Sequence, residues 1–172
     1  TQKDKLMDSL KETTTWAKEN NYTSEELSVG RKLFFNFYMA GSFDVISDVI
    51  MHEARLWSLK GGGYAGRVDD IYRDTDGKAV IADYKTSRKP KKEEWIENYK
   101  LQISAYYVAY WELTGEKPDR GEIWISNEHD DTPQIFVLDE SEIKKYYSKF
   151  ISLVKAYHEK FSKEIASYSQ NI

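Results

Sequence analysis

Two runs of alternating apolar residues frame a short polar turn near the middle of the chain, and this pairing constrains the fold more than any other feature. Val68, Ile71 and Tyr72 precede Asp74-Thr75-Asp76-Gly77, and Val80, Ile81 and Tyr84 follow it. Alternation on both sides of a polar turn that ends in glycine predicts a β-hairpin. The hairpin also carries charge: Asp69 in its first strand, Asp83 and Lys85 in its second. Period-two alternation puts Asp83 and Lys85 on one face. Carboxylates brought together across a hairpin repel unless something positive sits between them, and a hard divalent cation such as Mg²⁺ or Mn²⁺ fills that role. A lysine beside such a cation stabilises a developing negative charge or orients a water. These groups suit hydrolysis of a phosphodiester.

Three segments in order extend this reading: Gly66-x-x-Asp69, then Asp83-Tyr84-Lys85-Thr86-Ser87, then Gln102-x-x-x-Tyr106. Together they resemble the second, third and fourth motifs of the RecB-type branch of the PD-(D/E)XK nuclease superfamily. Phage exonucleases and the mitochondrial genome maintenance exonuclease lie near that branch. D-x-K alone is a weak signal, whereas the ordered set on strand, strand and helix is much more specific. The resemblance runs from Met51 to Tyr110, and the flanks are compatible with it.

The resemblance implies an α/β fold, with a central mixed β-sheet flanked by helices, a restriction-endonuclease-like core and the site at one edge. It implies that Asp69, Asp83 and the backbone carbonyl of Tyr84 bind Mg²⁺ or Mn²⁺, with Lys85 as the catalytic lysine. It implies a metal-dependent DNA exonuclease in recombination, repair, replication or phage DNA processing. An endonuclease of the same superfamily and a non-catalytic nucleic-acid-binding module on this fold are the alternatives. Gln102 and Tyr106, four apart on one helix face, would contact the DNA strand or the lysine. A replication or recombination protein is the partner such an enzyme implies. In many relatives an acidic residue at about the place of Glu53 reaches the metal or its waters. His52 competes for that role, because RecB-type nucleases often use a histidine ligand, usually from an earlier G-T-x-x-H-like helix that this chain lacks. An ordinary exposed His-Glu pair is the third reading. On a strand the two residues face opposite ways, so at most one enters the site.

The net charge is −4 with a pI near 5.5, which does not favour phosphate contact, but distribution matters more than the total. Lys85 to Lys92 contains no acid, and it begins within the D-x-K motif. Such runs are usually solvated loops; the position here favours Ser87, Arg88, Lys89, Lys91 and Lys92 as contacts to the DNA backbone. Asp70, adjacent to Asp69 and pointing the other way, is expected to face solvent or pair with a lysine.

The 172 residues suit a single domain: a helical part over 1–42, a nuclease core over 43–138 and a closing helix over 140–168. The chain opens on Thr1 rather than methionine, which suits a fragment or a processed form, and an upstream segment could supply a missing ligand. There is no cysteine, which excludes disulfides, cysteine-ligated zinc and the iron–sulfur cluster of several RecB-like relatives. That composition fits a reducing, intracellular setting, the host cytoplasm if the chain is viral. No run of about 18 apolar residues is present to span a membrane.

Along the chain, Asp4 to Asn20 reads as a helix with Leu6 and Leu10 on its apolar stripe. Thr23 or Ser24 caps a second helix that carries Phe34 to Tyr38 as core and stops at Gly41. Phe43 to Trp57 contains a strand, and Leu59 to Gly63 a loop. Glu93 to Leu113 reads as one helix with Trp95, Tyr99, Ile103 and Tyr110 at helical spacing. Two more strands, Arg120 to Ser126 and Gln134 to Leu138, precede a closing helix with Ile143, Tyr147, Phe150, Val154 and Tyr157 inside, whose last residues fray.

Overall fold

The structure is a computed structural model that describes the backbone of residues 2–39 and 42–169 and the side chains of residues 11–38 and 43–162. Two helices, α1 (Gln2–Glu19) and α2 (Ser24–Met39), lead into the long strand β1 (Ile46–Ser58) and the hairpin β2 (Tyr64–Asp74) and β3 (Ala79–Ser87). Helix α3 (Glu97–Thr114) crosses over to β4 (Arg120–Asn127), and β5 (Gln134–Leu138) and helix α4 (Glu140–Ser169) follow. The five strands lie in the order β1-β2-β3-β4-β5. All neighbours are antiparallel except β3 and β4, which α3 connects in parallel. This is the mixed sheet between helices that the sequence resemblance implies.

The turn of the hairpin is held by Asp74, whose Oδ1 accepts the N–H groups of Asp76 and Lys78 at 3.0 and 2.9 Å. Leu56, Val68, Ile71, Ile81, Ile123 and Ile125 form one face of the sheet, under Ile103, Tyr106, Tyr107 and Tyr110 of α3 and Ile143 of α4. Helix α3 is buried on nearly every side over its second and third turns because the sheet and α4 enclose it. Its buried tyrosines find polar partners as burial requires: Tyr107 donates to Pro118 O at 2.6 Å and Tyr110 to Glu116 Oε2 at 2.8 Å. The opposite face, with Tyr72, Val80, Ala82 and Trp124, is covered by Phe37 of α2.

Thr23 rather than Ser24 forms the cap of α2, exchanging hydrogen bonds with Glu26 in a capping box. The apolar stretch of α2 is only partly core. Phe37 is buried, whereas Phe34 and Tyr38 are exposed and stack on each other at 6.4 Å between ring centroids. The expected stop at Gly41, the side chains of Leu6 and Leu10, and the last three residues lie outside the described residues.

Three further expectations are corrected. Helix α3 begins at Glu97, not Glu93; a 3-10 turn at Glu93–Trp95 precedes it, so buried Ile96 takes the core place and Trp95 is exposed. Tyr157 of α4 is likewise exposed, because at this level the helix turns the adjacent His158 inward instead. The glycines before β2 are more than a loop. Gly62 has φ +106°, and a Cβ there would lie 2.7 Å from the His158 ring, whose Nε2 donates to Gly63 O at 2.9 Å. That packing fixes the entry of β2 against α4.

Candidate active site

Asp83 shares its face of β3 with Ile81, beneath α3, and is 1% exposed. Lys85, two residues on, brings its Nζ to 2.5 Å from Asp83 Oδ2 and lies 5.5 Å from the ring centroid of Tyr99 on α3. The Lys85 ammonium is the close polar partner of this buried oxygen among the described residues. Burial pushes the Asp83 carboxyl above the usual carboxylate range; Lys85 opposes this and the nearby Asp69 adds to it.

Asp69 reaches the same place by a different route. The β2–β3 ladder pairs Arg73 with Ala79 through to Asp70 with Ala82 and ends there. Beyond that point Asp69 Oδ2 accepts the Tyr84 N–H at 2.7 Å, a side chain taking the ladder position that the strand has left. In an extended strand a residue's N–H and C=O point to the same side, so the Tyr84 carbonyl is turned towards Asp69 as well. Strict alternation breaks here. Val68 and Ile71, three apart, lie in the same core cluster, and Met51 and Ala54 on β1, also three apart, both pack against it. Glu53, at the matching level of β1, sits at φ +50°, a left-handed conformation that side chains disfavour. The paired irregularity releases Asp69 from the face alternation would give it.

The residues fit a hard divalent cation. Two carboxylates and a main-chain carbonyl are oxygen donors, and the buried Asp83 oxygen has a cation, the Lys85 ammonium, against it already. Among the described residues no three His, Asp or Glu side chains converge on one point, so the set is short.

The other sequence-derived residues fall around this centre. Glu53 Oε2 pairs with Arg67 Nε at 2.7 Å on the half-exposed side of the hairpin. His52 instead meets Asp70, Nδ1 to Oδ1 at 2.6 Å, so the partner of Asp70 is a histidine and not a lysine. That pair lies on the opposite face, with Ala82. The Asp70 carboxylate draws the His52 pKa upward. Gln102 donates Nε2 to the Tyr106 hydroxyl at 3.0 Å. Tyr106 is at once a core aromatic and the wall of a groove of about 460 Å³ that reaches Tyr99. Ser87 shapes the basic loop, its Oγ accepting the Lys89 N–H at 3.2 Å and donating to Lys89 O. Arg88, Lys89, Lys91 and Lys92 form no ion pair among the described residues. Gln134 pins the loop through both main-chain groups of Lys91, at 2.6 and 3.0 Å. One residue escapes the sequence reading: Trp95 stands exposed with Lys92 Nζ 5.2 Å from its ring centroid. The available signal was an aromatic just after a basic run.

A mixed sheet between helices, with two carboxylates and a lysine where the hairpin ladder ends, defines a restriction-endonuclease-like α/β architecture. The sequence profile of the PD-(D/E)XK nuclease superfamily matches residues 4–170, and the chain belongs to that superfamily. No curated protein matches the chain. Among solved structures, a protein from Eubacterium rectale provisionally described as an exonuclease aligns with a TM-score of 0.59 and 13% identity over 91% of this chain. The alignment spans 62% of that protein's length, and at this identity it establishes the fold alone. The protein SSO0001 aligns over 87% of this chain and 68% of its own, with a TM-score of 0.44 and 20% identity.

Proposed function

We propose that this chain is a Mg²⁺- or Mn²⁺-dependent DNA exonuclease. The carrying observation is the convergence of Asp69, Asp83 and Lys85 at the end of the β2–β3 ladder, with the buried Asp83 carboxylate facing the Lys85 ammonium. Asp69, Asp83 and the Tyr84 carbonyl would hold the ion, and Glu53 would complete the set directly or through water. A divalent ion there supplies Lewis-acid stabilisation of charge on the phosphoryl oxygens and a more acidic bound water. Lys85 orients the attacking water or stabilises the charge that develops on the phosphate. Ser87, Arg88, Lys89, Lys91 and Lys92 hold the strand's backbone, with Gln102 and Tyr106 behind them. The exonuclease form draws on the RecB-type motif order and on the description of the Eubacterium rectale protein. Recombination, repair, replication or phage DNA processing, alongside a protein partner, is the setting it suggests.

The experiment is degradation of end-labelled linear DNA beside a closed circle, with Mg²⁺, Mn²⁺ or EDTA. Metal-dependent loss of linear DNA with the circle spared is the expected result. Cutting of the circle makes the enzyme an endonuclease, and binding without cleavage under either metal makes it a binding module. Lys85→Ala should abolish cleavage while retaining the fold and most DNA binding; wild-type turnover by that variant removes Lys85 from the mechanism.

A further inference from the structure

We infer that the groove between α3 and α4 is a subsite for an unpaired DNA base next to the bond being cleaved, which makes a single strand the form of substrate the site accepts. The inference deepens the nuclease reading and rests on it. The groove is lined by Tyr64, Tyr99, Gln102, Tyr106, Phe150 and Leu153 and encloses about 460 Å³, a size that admits a small planar ligand.

Three observations favour a base over another occupant. The first is continuity: Tyr99 is both a wall of the groove and the ring against which Lys85 Nζ rests at 5.5 Å. A phosphate at Lys85 therefore places the attached nucleoside at the groove mouth. The second is composition. Aromatic rings offer sequence-tolerant stacking surfaces, and Tyr64 and Phe150 are already set edge to face at 4.9 Å, forming a rigid wall. Gln102 spends its Nε2 on Tyr106, and its Oε1 carries no hydrogen bond among the described residues, leaving an acceptor for a base edge. The third is charge. Lys85 stands at Tyr99 on the groove wall, and the chain runs on from it through the acid-free segment to Lys92, beside which exposed Trp95 offers a further ring. Cationic loop and aromatic groove in sequence are what a flexible polyanion with splayed bases requires. A base still paired in a duplex cannot enter such a groove without being extruded. Leu153 stays 58% exposed although it borders this site, as an apolar wall awaiting a planar partner would.

The test is binding in EDTA, so that cleavage plays no part. Affinity is measured by fluorescence anisotropy for an oligothymidylate of about 12 nucleotides, an abasic strand of equal length and a duplex of equal length. The wild-type protein is expected to bind the thymidylate about tenfold tighter than the abasic strand, and tighter than the duplex. In Leu153→Gln, at an exposed position whose substitution spares the core, and in Tyr99→Leu, that ratio should fall towards one with abasic binding unchanged. A wild-type ratio of one, or two variants that both keep the wild-type ratio, overturns the subsite. Should that occur while Mg²⁺-dependent cleavage of DNA persists, the subsite fails alone and the nuclease reading stands. Should none of the three probes bind while Mg²⁺-dependent cleavage persists, the subsite again fails alone; if no DNA is cleaved either, both fail.

Discussion

Gly66 lies directly against the ring of Tyr106: a Cβ on Gly66 would stand 2.6 Å from Tyr106 Cε1 and 3.0 Å from its hydroxyl oxygen. The two residues belong to different motifs, one on β2 and one on α3, and the missing side chain lets the helix lay its Tyr106 ring, whose hydroxyl Gln102 holds from within α3, directly on the strand. Gly66→Ala must push the buried Tyr106 ring aside. We expect a loss of about 1–3 kcal/mol in denaturant unfolding, the usual range for overpacking. Most of that loss should vanish when Tyr106→Ala removes the ring, since the pair is in contact and its effects cannot add. Additive losses would place the defect elsewhere.

A buried polar cluster under the opposite face links the stability of the fold to pH. Arg120 NH1 holds Asp74 Oδ2 at 2.7 Å and its Nε holds Glu122 Oε1 at 2.6 Å, while Tyr72 and Trp124 donate to Glu122 Oε2. Burial alone would raise the Asp74 pKa, but Arg120 and the N–H groups of Lys78 and Asp76 outweigh it and hold it below its ordinary 3.8. A depressed pKa means stability that is fully present above about pH 4 and is lost as pH falls through the folded value. Arg120→Leu should therefore cost about 3–5 kcal/mol at neutral pH, because it strands two buried acids. The gap from wild type should narrow below about pH 4, where Asp74 takes up its proton. Urea midpoints across that range measure it, and a gap that widens on acidification contradicts the assignment.

The sequence made the hairpin and the Asp83–Lys85 half of the site legible because they obey period two, and the order of elements because helix and strand periods differ along the chain. It did not make Asp69 legible in the same way. Asp69 reaches Tyr84 through an irregularity shared between β1 and β2, and a break made at the same level in both strands leaves the pairing register unchanged. Trp95 was hidden because a 3-10 turn replaces the first turn of the expected helix and moves the core position by one, to Ile96. The exposure of Phe34 and Tyr38 depends on how much of the sheet α2 covers, which no local pattern encodes.

Glu53 combines a left-handed backbone with a carboxylate, and two substitutions separate them. Glu53→Gly and Glu53→Ala both remove the carboxylate and its exposed pairing with Arg67, a contact of little stabilising value where both side chains are this open. Only glycine relieves the φ of +50°. Glu53→Gly should thus be more stable than Glu53→Ala by about 1 kcal/mol. If the carboxylate serves the metal waters, both should lose cleavage equally, by about 10–100-fold. A glycine variant with wild-type cleavage would leave Glu53 a purely geometric part.

Metal binding can be read without turnover. An ion held by the folded chain alone stabilises it by about 2.7 kcal/mol at a hundred times its Kd, so thermal melts should shift upward with Mg²⁺ and return with EDTA. Asp83→Asn should remove most of that shift, because it takes away the buried charge that the ion would offset. Lys85→Ala should behave in the opposite sense. Its ammonium is the cation that faces Asp83 at 2.5 Å, and its loss leaves the carboxylate free for Mg²⁺, so the shift persists or grows while cleavage disappears. An Asp83→Asn variant with the full Mg²⁺ shift would move the ion away from the hairpin, and with it the site of hydrolysis.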